Sequence, residues 1–265
     1  MGMSEMGLAI LGRQAAVTPV EYHLGAVKEV YESIQETQKE VGGSLAYRAK
    51  TPAGGGKAFD ILTGDEEMDT SVPSFRGVIV HSHKCNAYFD EDTSGNTPPI
   101  CSSVNGTDGF DSSTGEWLKC AGCPRNLYGT AKNGRGKACK NMHKLYIMTE
   151  DLPVPVVLTL PPTSLKSFQT YCLNTLSVRR MKPQDVVTEF SLASVVNQAG
   201  QKYSVVRFKL AGALPEEEKA VAAYFAAGMA QAASVSAEDY NREDRPVKVD
   251  AEVDVTDFDE SDIPF

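Results

Sequence analysis

The chain has 265 residues, 42% hydrophobic and 23% charged, with a formal net charge of −9, which is ordinary for globular protein and long enough for one large domain or two small ones. No run approaches the roughly 18 to 20 apolar residues that span a bilayer, and Met1 to Gly12 has no basic n-region and no cleavable apolar stretch, so no export signal is read and a cytoplasmic protein is expected. The charge is unevenly placed: residues 238–265 hold 11 acidic and 3 basic side chains, the rest is close to neutral, and Trp117 to Thr149 holds seven basic residues and no acidic one.

Thr18-Pro19-Val20-Glu21 reads as a helix start, with Thr as N-cap, Pro in the first turn and Glu closing a capping box. Val20, Leu24, Val27, Tyr31 and Ile34 follow at helical spacing until Gly42-Gly43. Strand patterns come next at Leu45 to Ala49, Phe59 to Leu62 and Phe75 to His81. The intervening Gly54-Gly55-Gly56-Lys57 lacks both the first glycine and the Ser/Thr of a phosphate-binding loop, so a hairpin loop is expected. Residues 90–140 are rich in Gly, Asn, Ser, Thr and Asp, with little hydrophobic periodicity. Strand character returns at Lys144 to Met148 and Val154 to Leu160. A short helix is predicted from Pro161–Ser164 through Leu176, with Leu165, Phe168, Cys172 and Leu176 on one face. Val186 to Val196 and Tyr203 to Leu210 read as a long hairpin, and Glu216 to Ala233 as an alanine-rich helix with acidic residues where the helix dipole favours them.

Seven strand candidates with one polar insertion suit a β-rich α+β fold, an OB-fold-like antiparallel barrel with a zinc-ribbon insertion and flanking helices; a β-sandwich is the alternative. The expected organisation is an N-terminal helical segment at 1–43, an OB-like core at 44–212 with its insertion at about 90–142, a C-terminal helix at 213–237 and a disordered acidic tail at 238–265.

A structureless loop as long as 90–140 would be odd in a compact domain, and four cysteines supply a means of ordering it. Cys120-Ala121-Gly122-Cys123 is a metal knuckle, with two thiolates two residues apart and a glycine for the turn. Cys101 and Cys139 lie 18 and 15 intervening residues away and complete a tetrahedral set. A closed four-cysteine site is structural, since catalytic zinc keeps a position open for water. Its energy, about 10 to 16 kcal/mol in zinc-finger peptides, suffices to order a loop with little apolar content. His81, His83, Cys85 and His143 are spare ligand types, and Cys172 is expected in the core.

Four thiolates on Zn²⁺ leave a local charge of −2, which Lys119, Arg125, Lys137 and Lys140 can offset. These cations are also interleaved with rings: Trp117 near Lys119, Tyr128 between Arg125 and Lys132, Tyr146 after Lys144. Cations for phosphate and aromatic faces for bases are what single-strand binders combine. The predicted DNA contacts are therefore Trp117, Lys119, Arg125, Tyr128, Lys132, Arg135, Lys137 and Tyr146, with Arg179 and Arg180 as a second basic cluster.

The last residues, Asp257-Phe258-Asp259-Glu260-Ser261-Asp262-Ile263-Pro264-Phe265, resemble the C-terminal tip of bacterial single-stranded DNA-binding proteins. The rest of the chain is more similar to single-stranded DNA-binding proteins of tailed phages, through Cys101-Ser102-Ser103, Cys120-Ala121-Gly122-Cys123-Pro124 and Gly136-Lys137-Ala138-Cys139. The best-known member of that class has a histidine among its zinc ligands, where this chain offers four cysteines. The resemblance implies an OB-fold with a zinc insertion, a phage-encoded protein working in a bacterial cell, and recruitment of replication, recombination and repair enzymes. Asp257, Asp259, Glu260, Asp262, Ile263, Pro264 and Phe265 would make that contact, the terminal Phe filling an apolar pocket and the acidic run meeting a basic rim.

A non-catalytic single-strand binder is thus expected, with structural Zn²⁺ as its cofactor. A zinc-ribbon adaptor that holds no DNA itself is one alternative. A metal-dependent nuclease built on Asp65, Glu66, Glu67 and Asp69 is the other, although those residues read more simply as a solvated turn.

Overall fold

The computed structural model describes residues 17–42, 45–52, 54–89, 98–132, 134, 136–197 and 200–233. The opening residues, Arg135 and the acidic segment 238–265 lie outside the described residues. In chain order the elements are helix α1 (Gly25–Val41), strands β1 (Tyr47–Lys50), β2 (Phe59–Leu62), β3 (Thr70–Val72), β4 (Ser74–Tyr88), β5 (Cys101–Ser103), β6 (Asp108–Asp111), β7 (Glu116–Lys119), β8 (Lys140–Met148) and β9 (Val156–Leu160), helix α2 (Pro162–Thr170), the hairpin β10 (Val186–Val196) and β11 (Lys202–Ala213), and helix α3 (Glu216–Ala233).

The β-rich α+β class holds, but the closed antiparallel barrel does not. Eleven strands form one mixed sheet in the order β3-β2-β1-β9-β8-β4-β5-β6-β7, with β10 paired to β4 and β11 to β10. β1 and β9 run parallel, a pairing that no local pattern in the sequence marks. The cause of the open architecture is β4, 15 residues long. Its first four residues pair with β10, and from Val78 onward it pairs with β8, with a register shift between Ile79 and His81. Such a bulge bends a strand and increases its twist, and the β10–β11 hairpin pairs with β4 just before it. The hairpin's Phe190, Leu192 and Val206 then share one core with Ala49, Phe59, Ile61, Leu145, Ile147, Val156, Leu158 and Leu160, and α2 adds Phe168. Two hydrogen bonds tie the hairpin to neighbouring segments: Ser204 Oγ donates to the Gly56 carbonyl at 2.8 Å, and the Val206 N–H donates to Ser164 Oγ at 3.0 Å.

A second core lies under α1 and α3, where Leu24, Val27, Tyr31, Phe225 and Met229 meet Val78, Val80 and Met148 of the sheet. The predicted helix start at Thr18 is corrected here. Thr18 and Val20 exchange backbone hydrogen bonds with Ala213 at 3.1 and 3.0 Å, and Gly212 lets Val20 lie close against β11. Helix begins only at Gly25. Glu218 of α3 supplies the cap, its carboxylate accepting from the Leu24 and Gly25 N–H groups at 2.8 and 3.0 Å, an anion where the helix dipole favours one. The second predicted helix does run through Leu176, but it is α-helical only as α2, to Thr170, and Tyr171–Leu176 continues as a π-helical stretch.

Candidate metal centre and nucleic-acid interface

The polar segment 98–142 is ordered as a three-stranded extension of the sheet. β5 pairs with the end of β4, β6 with β5 and β7 with β6. Its strands are three or four residues long and its turns are built by side chains: Asn105 Oδ1 accepts from the Thr107 and Asp108 N–H groups at 2.7 and 2.9 Å. This Asx geometry lets a polar residue set a turn without apolar packing.

Cys101 comes from β5, Cys120 and Cys123 from the turn after β7, and Cys139 from the residue before β8. All four line one cavity, with Asn86, Tyr88, Ser102, Gly109, Leu118 and Asn126 among its walls. The Cys123 N–H donates to the Cys120 carbonyl at 3.3 Å and the Cys139 N–H to the Arg125 carbonyl at 2.8 Å, so the backbone holds the knuckle and its fourth member together. None of the four is in a disulfide.

Three observations fit this cavity to a metal. A Cβ on Gly109 would stand 3.1 Å from Cys101 Sγ and 3.6 Å from Cys120 Sγ, so a larger residue would crowd the sulfurs. Ser102 Oγ and Asn126 Oδ1 on its wall are buried without a hydrogen-bond partner among the described residues. The donor set itself, four thiols, is that of a closed structural zinc site. The thiols also sense one another. Burial, then the Asp111 carboxylate, push Cys101 up to about 11 against the pull of Arg125. Burial, then the other three cysteines, push Cys139 up to about 12. Four thiolates could not coexist here without a cation, and a divalent ion inverts that balance. Among the described residues, the side chains as placed make no finished set of three or more His, Cys, Asp or Glu ligands; what is in place is the convergence of four sulfurs on one cavity.

The predicted DNA contacts divide into several kinds. Lys119 Nζ is paired with Asp108, directly across the β6–β7 ladder. Arg125 donates to Asp111 Oδ2 at 2.6 Å and lies 4.5 Å over the Tyr88 ring. Asp111 is 1% exposed; burial opposes its charge, but Ser113 and Arg125 outweigh that and hold its carboxyl below the ordinary range. Arg125 and Lys119 thus brace the module. Lys137 donates to Asn141 Oδ1 at 3.0 Å. Trp117 and Tyr128, by contrast, are 63% and 62% exposed, and Trp117 rests against Phe110 with ring centroids 5.5 Å apart. Lys132 is exposed on the loop after Tyr128. Tyr146 sits on β8, away from the cavity walls, between His81 and His83 of β4. Arg179 donates to the Thr175 carbonyl at 2.6 Å, and Arg180, with φ 56°, closes the same turn.

Asp108, Asp111, Gly109 and Ser102 were missed because their roles depend on hairpin register, which no local motif announces. Of the carboxylates considered for a nuclease, Asp69 accepts from the Thr63 N–H at 2.7 Å and Asp65 from the Glu67 N–H at 3.1 Å, the bonds of an exposed turn. Of the spare ligand types, Cys85 is fully buried in a small apolar cluster, and His143 packs on Phe168. No helix among the described residues is long and apolar enough to cross a membrane. Compared with known proteins, the chain matches no family model, no curated protein and no solved structure.

Proposed function

We propose that the protein binds single-stranded DNA without cleaving it, through a module ordered by one structural zinc on Cys101, Cys120, Cys123 and Cys139. The zinc would supply cross-linking energy only, since four protein thiolates leave no position for water. The observation that carries the binding reading is the exposure of Trp117 and Tyr128, at 63% and 62%, on a segment with seven basic residues. Large rings held in solvent on a short-stranded, cross-linked module offer π-faces on which bases of any sequence stack, at about 1 to 3 kcal/mol each. The acidic segment ending Asp262-Ile263-Pro264-Phe265 recruits replication, recombination or repair enzymes, on the resemblance set out above.

A zinc-bearing adaptor that holds no DNA is the second reading. The internal pairing of Lys119 and Arg125 favours it, and the two exposed rings count against it. Labelled oligo-dT and a labelled duplex, each mixed with the full chain with and without Mg²⁺, separate the possibilities. Binding of the single strand without cleavage is expected. Cleavage would make the protein a nuclease, and failure to bind would leave the adaptor.

A further inference from the structure

Three residues lie abreast where β4, β5 and β6 run side by side: Tyr88 is opposite Cys101, and Cys101 is opposite Asp111. Opposed side chains project from the same face of a sheet. Cys101 therefore stands between a ring and a carboxylate, each about 5 Å to its side. Arg125, from the short turn Pro124–Asn126 after the knuckle, reaches both neighbours. Its Nη1 donates to Asp111 Oδ2 at 2.6 Å, and its guanidinium carbon lies 4.5 Å from the centroid of the Tyr88 ring. A planar group that touches both outer members of the row crosses over the middle one. Tyr88, Cys101 and Arg125 accordingly line the same cavity. Gly109, two residues along β6 from Asp111, faces that cavity too, and the Cβ it lacks would stand 3.1 Å from Cys101 Sγ.

The same turn reaches the other three cysteines. Arg125 follows Cys123 by two positions, and its carbonyl accepts from the Cys139 N–H at 2.8 Å. Asn126, next in the turn, donates from Nδ2 to the Cys120 carbonyl at 3.1 Å. Stability alone gives a weak account of the ion pair. Asp111 is 1% exposed, and apolar side chains of similar size often do as well as a pair buried in this way. Beside a metal such a pair has a specific use, because the groups that hold the ligands set their orientation and the affinity of the site.

We infer that Arg125, braced by Asp111 and Tyr88, is a positioning residue of the metal centre and holds the Cys101 thiolate toward the other three sulfurs. The inference rests on the zinc reading above and gives Arg125 its role there rather than on DNA. Its side chain is 35% exposed, a roof over the row rather than a free arm. A guanidinium suits the place because one planar group can stack on a ring and donate to a carboxylate at once. The compact ammonium of a lysine cannot do both.

The test compares the full chain with Arg125→Gln, Arg125→Lys, Asp111→Asn, Lys119→Gln and Cys101→Ser. Zinc affinity is read by competition with a chelator, and the thiolate-to-metal charge-transfer absorbance is read at saturating Co²⁺. Circular dichroism checks that each variant is folded. Arg125→Gln and Asp111→Asn should each weaken zinc binding by about 10- to 100-fold, the range for lost partners of metal ligands. Their cobalt-saturated spectra should lose charge-transfer intensity toward that of Cys101→Ser, because Cys101 is the ligand released. Arg125→Lys should recover only part of the loss. Lys119→Gln, which removes an exposed pair of little energy, should change the affinity by less than about fivefold. If Arg125→Gln matches the wild-type chain in both measurements, the positioning role is overturned and the four-cysteine reading stands. A weaker variant with an unchanged saturated spectrum would mean that the pair only stabilises the module, and full recovery in Arg125→Lys would mean that charge alone matters; either result overturns the inference. If Arg125→Gln keeps its zinc but binds oligo-dT less tightly, with a shallower salt dependence, Arg125 is a phosphate contact and the inference is likewise overturned. If the wild-type chain takes up neither zinc nor cobalt, the inference and the zinc reading fall together.

Discussion

His143 shows how one side chain can set the acid limit of this fold. It packs against Phe168 with centroids 5.1 Å apart, and its Nε2 is buried with no hydrogen-bond partner among the described residues. Burial first, then the positive neighbours His83, Lys84 and His81, lower its pKa to about 4. An unfolded histidine titrates near 6.5. The group therefore contributes its full stability above pH 6.5, and that contribution is lost as pH falls toward 4, because only the unfolded chain takes up the proton readily. Between pH 7.5 and pH 4.5 the loss is worth about 2 to 3 kcal/mol by linkage. His143→Leu should lose less stability between pH 7.5 and pH 4.5 than the wild-type chain does, by chemical denaturation. An unchanged difference would mean that His143 is solvated in the folded protein. At the same scale, the identities of the cysteines and of Trp117 were legible from spacing and composition, whereas the partners of Lys119 and Arg125 were not. Asp108 and Asp111 precede the acid-free stretch in sequence and enter it only through the β5–β6–β7 turns.

Among elements, those with strong periodicity were the readable ones. The β10–β11 hairpin, the strand at Phe59–Leu62 and the helix at Glu216–Ala233 form where their patterns place them. β5, β6 and β7 did not show, because strands of three or four residues with only one or two apolar side chains have no period to detect. Helix α1 starts six residues late for a different reason, its N-cap at Leu24 rather than Thr18: a local capping box competed with a tertiary pairing to β11, and the pairing won. Its real cap lies nearly 200 residues away. Glu218→Ala should cost about 1 to 2 kcal/mol, in the range of lost helix caps, read from the denaturation midpoint at constant slope. No loss would mean that water satisfies the α1 N-terminus. The cysteine module makes the larger prediction. Exchanging Cys120 and Cys123 for Ser should abolish bound zinc and open residues 100–140 to proteases while β8–β11 stay protected. Metal analysis and mass-mapped limited digestion read both, and a variant that keeps its protection would show that the turns hold the module without metal.

For the whole molecule, the β-rich class follows from the strand count, but the open mixed sheet does not. Closure depends on where one long strand bends, and the bulge at Ile79–His81 has no glycine or proline to mark it. The same strand carries the cysteine module at its far end, where β5 pairs with it. The central claim is that this assembly grips single strands with exposed rings on a zinc-ordered module. The sole tryptophan, Trp117, stands at that place and reports on it directly. Titrating the zinc-loaded chain with unlabelled oligo-dT should produce a saturable change in tryptophan emission that weakens as salt rises and is absent with duplex of equal length. Emission that stays constant through saturation, or responds equally to duplex, would contradict the account.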